Sequence, residues 1–261
     1  MGLIKFAENV ITMNLKPAWL LYQYLHVMQF DMHKAMMHNK LRRISTEISG
    51  RWLDIGAGNQ PYKKFFVHAG EYLTTNTKRH YSAVDIENLN PITTYWIEDG
   101  KALPVADHSL DGVACFQVLS VIDKPEDFFK EIARVLKPGG KLLLTTDLLY
   151  PVWSGEDRLR HTAFSLSDLS EKNGFFNTNT ESFGAYGAMN YALFMRYLRL
   201  FPGLWKRKKP FARFFSVFPY SLLLMLVPAI SLKGIMIYLL EKNSTRYTDF
   251  TFNILLTATK R

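Results

Sequence analysis

The sequence predicts an α/β fold, in which helices pack on a mainly parallel sheet. Three observations predict it: short apolar runs alternate with helical stretches, a turn with two glycines follows the first run, and one helix is strongly patterned. The chain has 261 residues and is 48% hydrophobic, which is enough for a sizeable core and excludes intrinsic disorder.

Four segments are predicted along the chain. Residues 1–50 carry apolar residues at helical spacing and are predicted to form an N-terminal helical cap. Residues 51–184 form the predicted core, whose clearest strands are 51–55, 81–85, 112–116 and 141–146. Residues 185–248 form a predicted helical, basic and hydrophobic insert, and residues 249–261 supply the final core strand.

The patterned helix is predicted at residues 125–136. Pro125 suits a first helical turn, and apolar side chains such as Phe128 and Ile132 recur on one face. The Lys-Pro-Gly-Gly sequence at 137–140 ends this helix and turns the chain into the next strand.

A turn with two glycines follows the first predicted strand. Gly56 and Gly58 lack a Cβ, so a nucleoside or an amino-acid moiety can approach the main chain, and Asp54 precedes them at the strand end. Asp85 ends the second predicted strand, where a carboxylate can accept hydrogen bonds from both hydroxyls of a ribose. The turn therefore predicts a cofactor loop, although such glycines also serve ordinary turns.

Three further strings follow in order: Leu103-Pro104-Val105-Ala106-Asp107-His108-Ser109-Leu110-Asp111, then Gln117-Val118-Leu119, then the run from Glu131 to Thr146 that contains Lys137-Pro138-Gly139-Gly140. With the glycine turn, they resemble the class I S-adenosylmethionine-dependent methyltransferases, in the branch that acts on small molecules, lipids and glycans. The resemblance covers residues 51–183 and a last strand near residue 250, roughly half of the chain.

The resemblance implies a Rossmann-like fold, with a sheet of seven mainly parallel strands, helices on both faces and an antiparallel final strand. It also implies S-adenosylmethionine as cofactor and a role for seven residues. Asp54, Gly56 and Gly58 would lie beside its methionine part, and Asp85 would hold the ribose. The remaining implied contacts are the adenine with Asp99 and the backbone of Gly100, and the sulfonium end with Gln117.

The chain departs from the family pattern at two places. Gln60 stands where the third glycine of the turn is common, and Ser120-Val121 replaces a frequent Glu-His pair, so no acid or base role transfers there. Asp111 belongs to the matching strings but is expected to be structural.

Acceptor-side candidates follow the fifth strand, because an open α/β sheet binds ligands at the carboxyl ends of its strands. Tyr150-Pro151, Asp157, Arg160 and Thr162 resemble a pattern found in relatives, and His161 stands at a place that is usually aromatic. His161 or Asp157 is a candidate base, and Arg160 a candidate for orienting an anionic or hydroxyl-rich acceptor. The alternative is an ordinary polar surface loop.

The net charge of +9 is concentrated in the insert. Residues 182–240 hold eight cations and no acid, which leaves 24 cations and 23 anions elsewhere. Pro219, Pro228, Lys233 and Gly234 interrupt the apolar stretch, so residues 206–240 predict peripheral contact with an anionic membrane rather than a span. A lid over the pocket or a dimer surface is the alternative. Nucleic acid is disfavoured, because the basic run lacks interleaved polar and aromatic residues.

These features predict methyl transfer to a small or lipid-linked acceptor, such as a sugar hydroxyl on a lipid-linked glycan. A non-catalytic nucleoside-binding scaffold, an RNA methyltransferase and a nicotinamide-dependent dehydrogenase are the alternatives. Cys115 is the single cysteine, which excludes an internal disulfide and a cysteine-built metal site, and we expect no metal. The first residues lack a signal-peptide pattern, so we expect the chain in the cytoplasm, peripheral at the inner face of the membrane.

Overall fold

The structure of the protein is a computed structural model that describes residues 31–98, 102–149, 157–206, 225–242, 251 and 253–261. The chain divides into two compact units. The core unit comprises Met36–Tyr186 and Thr245–Arg261, and the helical unit comprises Met1–Ala35 and Gly187–Ser244. Residues 36–50, which the sequence assigns to the cap, thus fall within the core unit.

The core unit contains a seven-stranded sheet, as predicted. Its strands are β1 (Gly50–Ile55), β2 (Ala69–Thr77), β3 (Tyr95–Ile97), β4 (Leu110–Phe116), β5 (Leu136–Asp147), β6 (Phe175–Phe183) and β7 (Asn253–Lys260). They lie in the order β3-β2-β1-β4-β5-β7-β6. Only β7 runs against its neighbours in the sheet, pairing antiparallel with both β5 and β6. The predicted Rossmann-like fold class is confirmed.

Six helices lie among the described residues: α1 (Met32–Ile44), α2 (Ala83–Leu89), α3 (Pro125–Val135), α4 (Ala163–Lys172), α5 (Tyr186–Lys206) and α6 (Val227–Glu241). Helix α3 matches its prediction to within one residue, with Pro125 in the first turn and two acids beside its positive end. Helix α1 is tied to β6 by Lys40 and Arg43, which both bond to Glu181.

The hydrophobic core forms where α3 and α4 pack on the sheet. Phe128, Phe129 and Ile132 of α3 are buried, and the ring of Phe129 lies edge-on to that of Phe175 at 6.0 Å between centroids. Strand β4 is buried along almost its whole length, as expected of a central parallel strand. This packing holds in place the carboxyl ends of the strands, where the polar residues of the candidate site lie.

The predicted strand at residues 81–85 is wrong. The second strand is β2, and residues 83–89 form helix α2. The Ser82 side chain accepts a hydrogen bond from the Asp85 backbone, and the Asp85 carboxylate accepts one from the Ser82 backbone. This capping box starts a helix and satisfies two otherwise unpaired N–H groups, so Asp85 lies in a first helical turn rather than at a strand end.

Asp111 has the structural role that the sequence predicts. Its carboxylate accepts hydrogen bonds from the Arg51 backbone at 2.7 Å and from Lys137 Nζ at 2.6 Å. These contacts join the starts of β1 and β5 to β4, at the opposite end of the sheet from the glycine turn.

In the helical unit, α5 and α6 pack against each other through small residues. A Cβ on Gly234 would lie 2.4 Å from the Tyr191 ring, and the Glu241 carboxylate accepts hydrogen bonds from the backbones of Gly187 and Ala188 at 3.1 and 3.0 Å. The start of α5 therefore lies beside the end of α6. Within the described part of the chain, no helix is both long enough and apolar enough to cross a membrane.

Candidate functional site

The glycine turn is held by the carboxyl end of β2. The N–H groups of Gly56 and Ala57 both donate to the Thr75 carbonyl at 3.0 Å, and that of Gly58 donates to Asn76 Oδ1 at 2.8 Å. Gly56 and Gly58 have φ values of 71° and 53°, a left-handed conformation that favours glycine. The sequence therefore needs glycine here to bring the loop onto β2.

The two glycines differ in the space beside them. A Cβ at Gly56 would lie 2.6 Å from Val118 Cγ2, so this glycine makes room for a side chain of the protein itself. At Gly58 a Cβ would meet the Tyr81 hydroxyl at 3.6 Å, an ordinary contact. Gly58 is thus the position where the backbone is open to a ligand.

Gln60 takes the place of the third glycine without changing the loop conformation. Its φ is 57°, and its Nε2 donates to the Ile92 carbonyl at 2.5 Å. The side-chain hydrogen bond helps to hold a left-handed conformation that a non-glycine residue adopts at a cost.

Asn76 is the residue that sequence reasoning missed. It lies at the carboxyl end of β2 with a buried side chain, donates to Thr93 Oγ1 at 2.8 Å, and accepts from the Gly58 backbone. Asp85 instead bonds to Ser82, and burial together with the Asp85 charge raises the pKa of the Tyr81 hydroxyl, which lies beside Gly58. The strand end that faces the loop therefore carries an amide in place of the expected carboxylate.

Asp54 is fully buried at the end of β1. Tyr72 donates its hydroxyl hydrogen to Asp54 Oδ2 at 2.5 Å. Burial raises the pKa of the Asp54 carboxyl to about 7, and the Tyr72 hydrogen bond opposes that rise. Asp54 therefore changes its protonation state near neutral pH, directly before the glycine loop.

Gln117 follows β4 in a left-handed conformation, with φ of 60°. Its Nε2 donates to Asn253 Oδ1 at 2.6 Å and to Thr145 Oγ1 at 3.2 Å. Its Oε1 and the Nδ2 of Asn253 are buried and form no hydrogen bond with the residues that the structure describes. Buried polar atoms of this kind indicate a site for a polar ligand group.

The predicted acceptor-side residues lie beside the turn that follows β4. The N–H of Arg158 donates to the Ser120 carbonyl at 2.8 Å, which brings the segment from residue 157 to 162 onto that turn. Arg160 bonds to Asp157 Oδ2, and the Asp157 side chain is only 3% exposed. Thr162 is the N-cap of α4, where its side chain accepts a hydrogen bond from Ser165.

His161 differs from its two neighbours in the predicted trio. Its Nε2 is buried without a hydrogen-bond partner among the described residues, and burial lowers the pKa of its imidazole. The imidazole is therefore neutral at pH 7. Asp147 lies close to Arg160 and Asp157, and both of them influence its pKa. Asp99, Gly100, Tyr150 and Pro151 lie outside the described residues.

The loop does not suit the pyrophosphate of a dinucleotide. That group is held by free N–H groups at the start of a helix that directly follows the glycine turn. Here the N–H groups of residues 56–58 are bonded to β2, and the turn is followed by a single 3₁₀ turn at Lys63–Phe65. The geometry favours an adenosyl compound without phosphates over a nicotinamide dinucleotide.

The buried Asp54 makes a testable contribution to stability. Because folding raises the pKa of its carboxyl from 3.8 to about 7, the folded state binds the proton more tightly, and the free energy of unfolding falls as pH rises across that interval. We expect Asp54→Asn to remove this fall, a difference of up to about 1.4 kcal/mol per pH unit, since the amide can still accept from Tyr72. Urea unfolding at several pH values measures it.

Asp168→Asn is the matched control for that measurement, because Asp168 is exposed on α4. It should follow the wild-type profile. If Asp54→Asn also follows the wild-type profile, the buried carboxyl has an ordinary pKa.

Comparisons with known proteins agree with this site. The sequence profile of a methyltransferase domain matches residues 53–144, which run from β1 to β5. A malonyl-[acyl-carrier protein] O-methyltransferase of Hahella chejuensis is 38% identical over 77 residues, which are 27% of this chain and 28% of that protein. A ubiquinone/menaquinone biosynthesis C-methyltransferase of Pseudomonas fluorescens is 28% identical over 128 residues, covering 44% of this chain and 50% of that protein. The chain thus spans half or less of the length of these curated relatives.

A solved structure extends the likeness of the fold to most of the chain. An S-adenosylmethionine-dependent methyltransferase of Thermotoga maritima superposes with a TM-score of 0.53 at 15% identity, over 92% of this chain and 94% of that one. S-adenosylmethionine is the cofactor of the family, and the open backbone at Gly58 and the orphaned Gln117 Oε1 fit such a ligand. Residues 53–144 therefore match a methyltransferase domain, and the sheet that contains them has the Rossmann-like fold of S-adenosylmethionine-dependent methyltransferases.

Proposed function

We propose that this chain transfers the methyl group of S-adenosylmethionine to a hydroxyl group of a small or lipid-linked acceptor at a membrane surface. The methyl donor follows from the family and from the phosphate-free loop. The acceptor's surroundings follow from one observation, the outward-facing apolar surface of α6.

The acceptor side is proposed at the carboxyl ends of β4 and β5. S-adenosylmethionine supplies an activated methyl group, so the protein's task is to align the acceptor, exclude water and accept a proton. Gln117 and Asn253 offer the polar atoms that would orient the ligands. Arg160 is neutralised by Asp157, which argues for a hydroxyl-bearing acceptor over an anionic one.

Helix α6 differs from an ordinary amphipathic helix, because small residues lie on its buried side and large apolar residues lie on its exposed side. Its buried residues are Val227, Ser231 and Gly234, while its exposed side is made of large apolar side chains. Those exposed residues, here named the α6 apolar face, are Leu226, Leu232, Ile235, Met236, Leu239 and Leu240. Exposure reaches 78% at Leu240, so the residues that the structure describes leave this face uncovered.

An anionic bilayer is the occupant that suits both properties of this segment. Residues 182–240 contain eight cations and no acid, and each cation near an anionic leaflet contributes about 1 kcal/mol of attraction. Apolar side chains that enter the membrane interface are removed from water, which strengthens binding in proportion to the apolar area buried. A lipid-linked acceptor would be met at this surface.

The proposed reaction predicts a labelled lipid pool. Incubation with methyl-labelled S-adenosylmethionine and separated lipid, soluble glycan and RNA fractions should label the lipids. Scintillation counting of each fraction measures the label.

Gly58→Ala should lower the affinity for S-adenosylhomocysteine at least tenfold, about 1.4 kcal/mol. The added Cβ would occupy the open space beside the backbone, at a φ that is unfavourable for alanine. Calorimetric titration measures this affinity.

Gly139→Ala is the matched control, since its φ of 79° imposes similar strain at the opposite end of β5, with nothing within 4 Å. It should keep the affinity. Label in RNA alone would favour an RNA methyltransferase, and binding without label in any pool would favour a non-catalytic scaffold.

The strand-end assignment predicts different effects for Asn76 and Asp85. Asn76→Ala removes the hydrogen bonds that tie Gly58 to β2, so we expect roughly tenfold weaker binding of S-adenosylhomocysteine. Asp85→Ala should cost about 1 kcal/mol of stability through its capping box but leave that affinity unchanged. Calorimetry and urea unfolding separate the two. Strong loss of affinity in Asp85→Ala alone would restore Asp85 as the ribose contact.

Membrane contact predicts sedimentation with anionic vesicles. Replacing Leu232, Met236 and Leu240 together with Gln should lower the bound fraction severalfold, because about 1.5 to 3 kcal/mol is gained for each such side chain that is fully buried. The matched control replaces Val67, Val84 and Phe164, which are equally exposed on the core unit.

The control variant should sediment like the wild type. Equal sedimentation of the α6 variant would remove the bilayer as occupant. A concentration-dependent dimer that the α6 variant abolishes would identify a second copy of the chain instead.

A further inference from the structure

Asp147 lies at the carboxyl end of β5 and carries a carboxyl group that has no role so far. It belongs neither to the glycine turn nor to the predicted set of Asp157, Arg160 and His161. It is the last residue of β5 and pairs in register with Asn253 of β7. Asn253 in turn accepts the hydrogen bond of Gln117. Asp147 therefore lies next to the polar amides that would orient the ligands, with 6% of its surface exposed.

The charged groups that face Asp147 come from the segment before α4. Arg160 and Asp157 both act on its carboxyl group through their charges. The neighbours from β4 and β7, Gln117 and Asn253, are uncharged. Asp157 is nearly inaccessible and bonded to Arg160, so it is occupied as the partner of that guanidinium. The cation that acts on the Asp147 carboxyl is therefore one that already bonds to Asp157.

His161 is a candidate base that the sequence predicts in this segment, and its Nε2 is buried. Burial alone lowers the pKa of its imidazole, whereas the cluster of Asp147, Asp157 and Arg160 is linked by charge. Asp147 also belongs to a rigid strand of the sheet, and a catalytic group on such an element is held more precisely than one on a loop.

We propose that Asp147 contacts the acceptor and accepts the proton of its hydroxyl group during methyl transfer. The inference rests on the proposed function and deepens it. The acceptor's O–H bond breaks as its oxygen bonds to the methyl carbon, the electron pair of the carbon–sulfur bond stays on sulfur, and the proton moves to the Asp147 carboxylate. The proton then leaves to solvent, so that each turnover yields methylated acceptor, S-adenosylhomocysteine and one proton.

The environment of Asp147 suits a base at neutral pH. Burial raises the pKa of its carboxyl to about 7, Arg160 opposes that rise, and Asp157 adds to it. A general base works best when its pKa lies near the operating pH. An ordinary exposed carboxylate, with a pKa of about 3.9, would be a weaker base.

The first test needs no acceptor. Carboxyl-carbon NMR titration of the complex with S-adenosylhomocysteine should show a carboxyl with a pKa of about 7 that is absent from Asp147→Asn. The Asp54 carboxyl, with a pKa of about 7, should remain in that variant. An Asp147 carboxyl that titrates near the ordinary value would overturn the proposal.

The second test measures transfer to a lipid extract from methyl-labelled S-adenosylmethionine. We expect Asp147→Asn to slow transfer at least about a hundredfold and to keep its affinity for S-adenosylhomocysteine. Asp147→Glu should recover part of the rate, and Asp168→Asn should match the wild type. An unchanged rate and pH profile in Asp147→Asn would overturn the proposal and leave the proposed function standing. If the wild type binds S-adenosylhomocysteine but labels no lipid, the proposed acceptor fails, and the titration alone decides the role of Asp147.

Discussion

The attachment of the glycine turn to the carboxyl end of β2 is the constraint on which the site depends. Three successive N–H groups, at residues 56 to 58, bond to Thr75 and Asn76. Only a left-handed backbone at Gly56 and Gly58 allows this approach. The turn is therefore fixed by β2 before any ligand binds, and a pre-organised loop spends little binding energy on ordering itself.

The same hydrogen bonds determine which ligand the loop can hold. N–H groups that already donate to the protein cannot stabilise phosphate oxygens, so this loop lacks the feature that makes dinucleotide loops anion sites. What remains beside it are a buried carboxyl at Asp54, amides at Asn76 and Gln117, and the open backbone at Gly58. A sulfonium compound, which carries a positive charge and no phosphate, is compatible with such surroundings.

The sequence predicted well those elements whose residues pattern strongly by themselves. Helix α3 and strands β1, β4 and β5 combine apolar periodicity with clear stop signals, and each lies close to its predicted position. Strand β2 was missed because its buried end is Thr74, Thr75 and Asn76, polar residues that pair with Ile92, Thr93 and the glycine turn. The run at residues 81–85 predicts a strand instead, although residues 83–89 form helix α2.

One signal could have prevented that error. Ser82 and Asp85 have the spacing of a capping box, which marks the start of a helix. The protonation of Asp54 and Asp147 could not have been predicted, because it depends on burial and on charges from distant parts of the chain. The hydrogen bond from the Arg158 N–H to the Ser120 carbonyl likewise arises from tertiary packing, which the spacing of residues in the sequence does not encode.

The inverted surface of α6 follows from how closely it packs on α5. Ser231 and Gly234 form the buried stripe, and the absence of a side chain at Gly234 lets the Tyr191 ring lie against the helix backbone. With small residues inward, the leucines and methionines of this apolar helix must face outward. Lys233 is exposed among them, and burying it in a protein interface would require a partner charge. In the proposed contact with a bilayer, its long side chain would reach the headgroups while its neighbours would enter the acyl region, so that lipid would satisfy the charge and the apolar surface together.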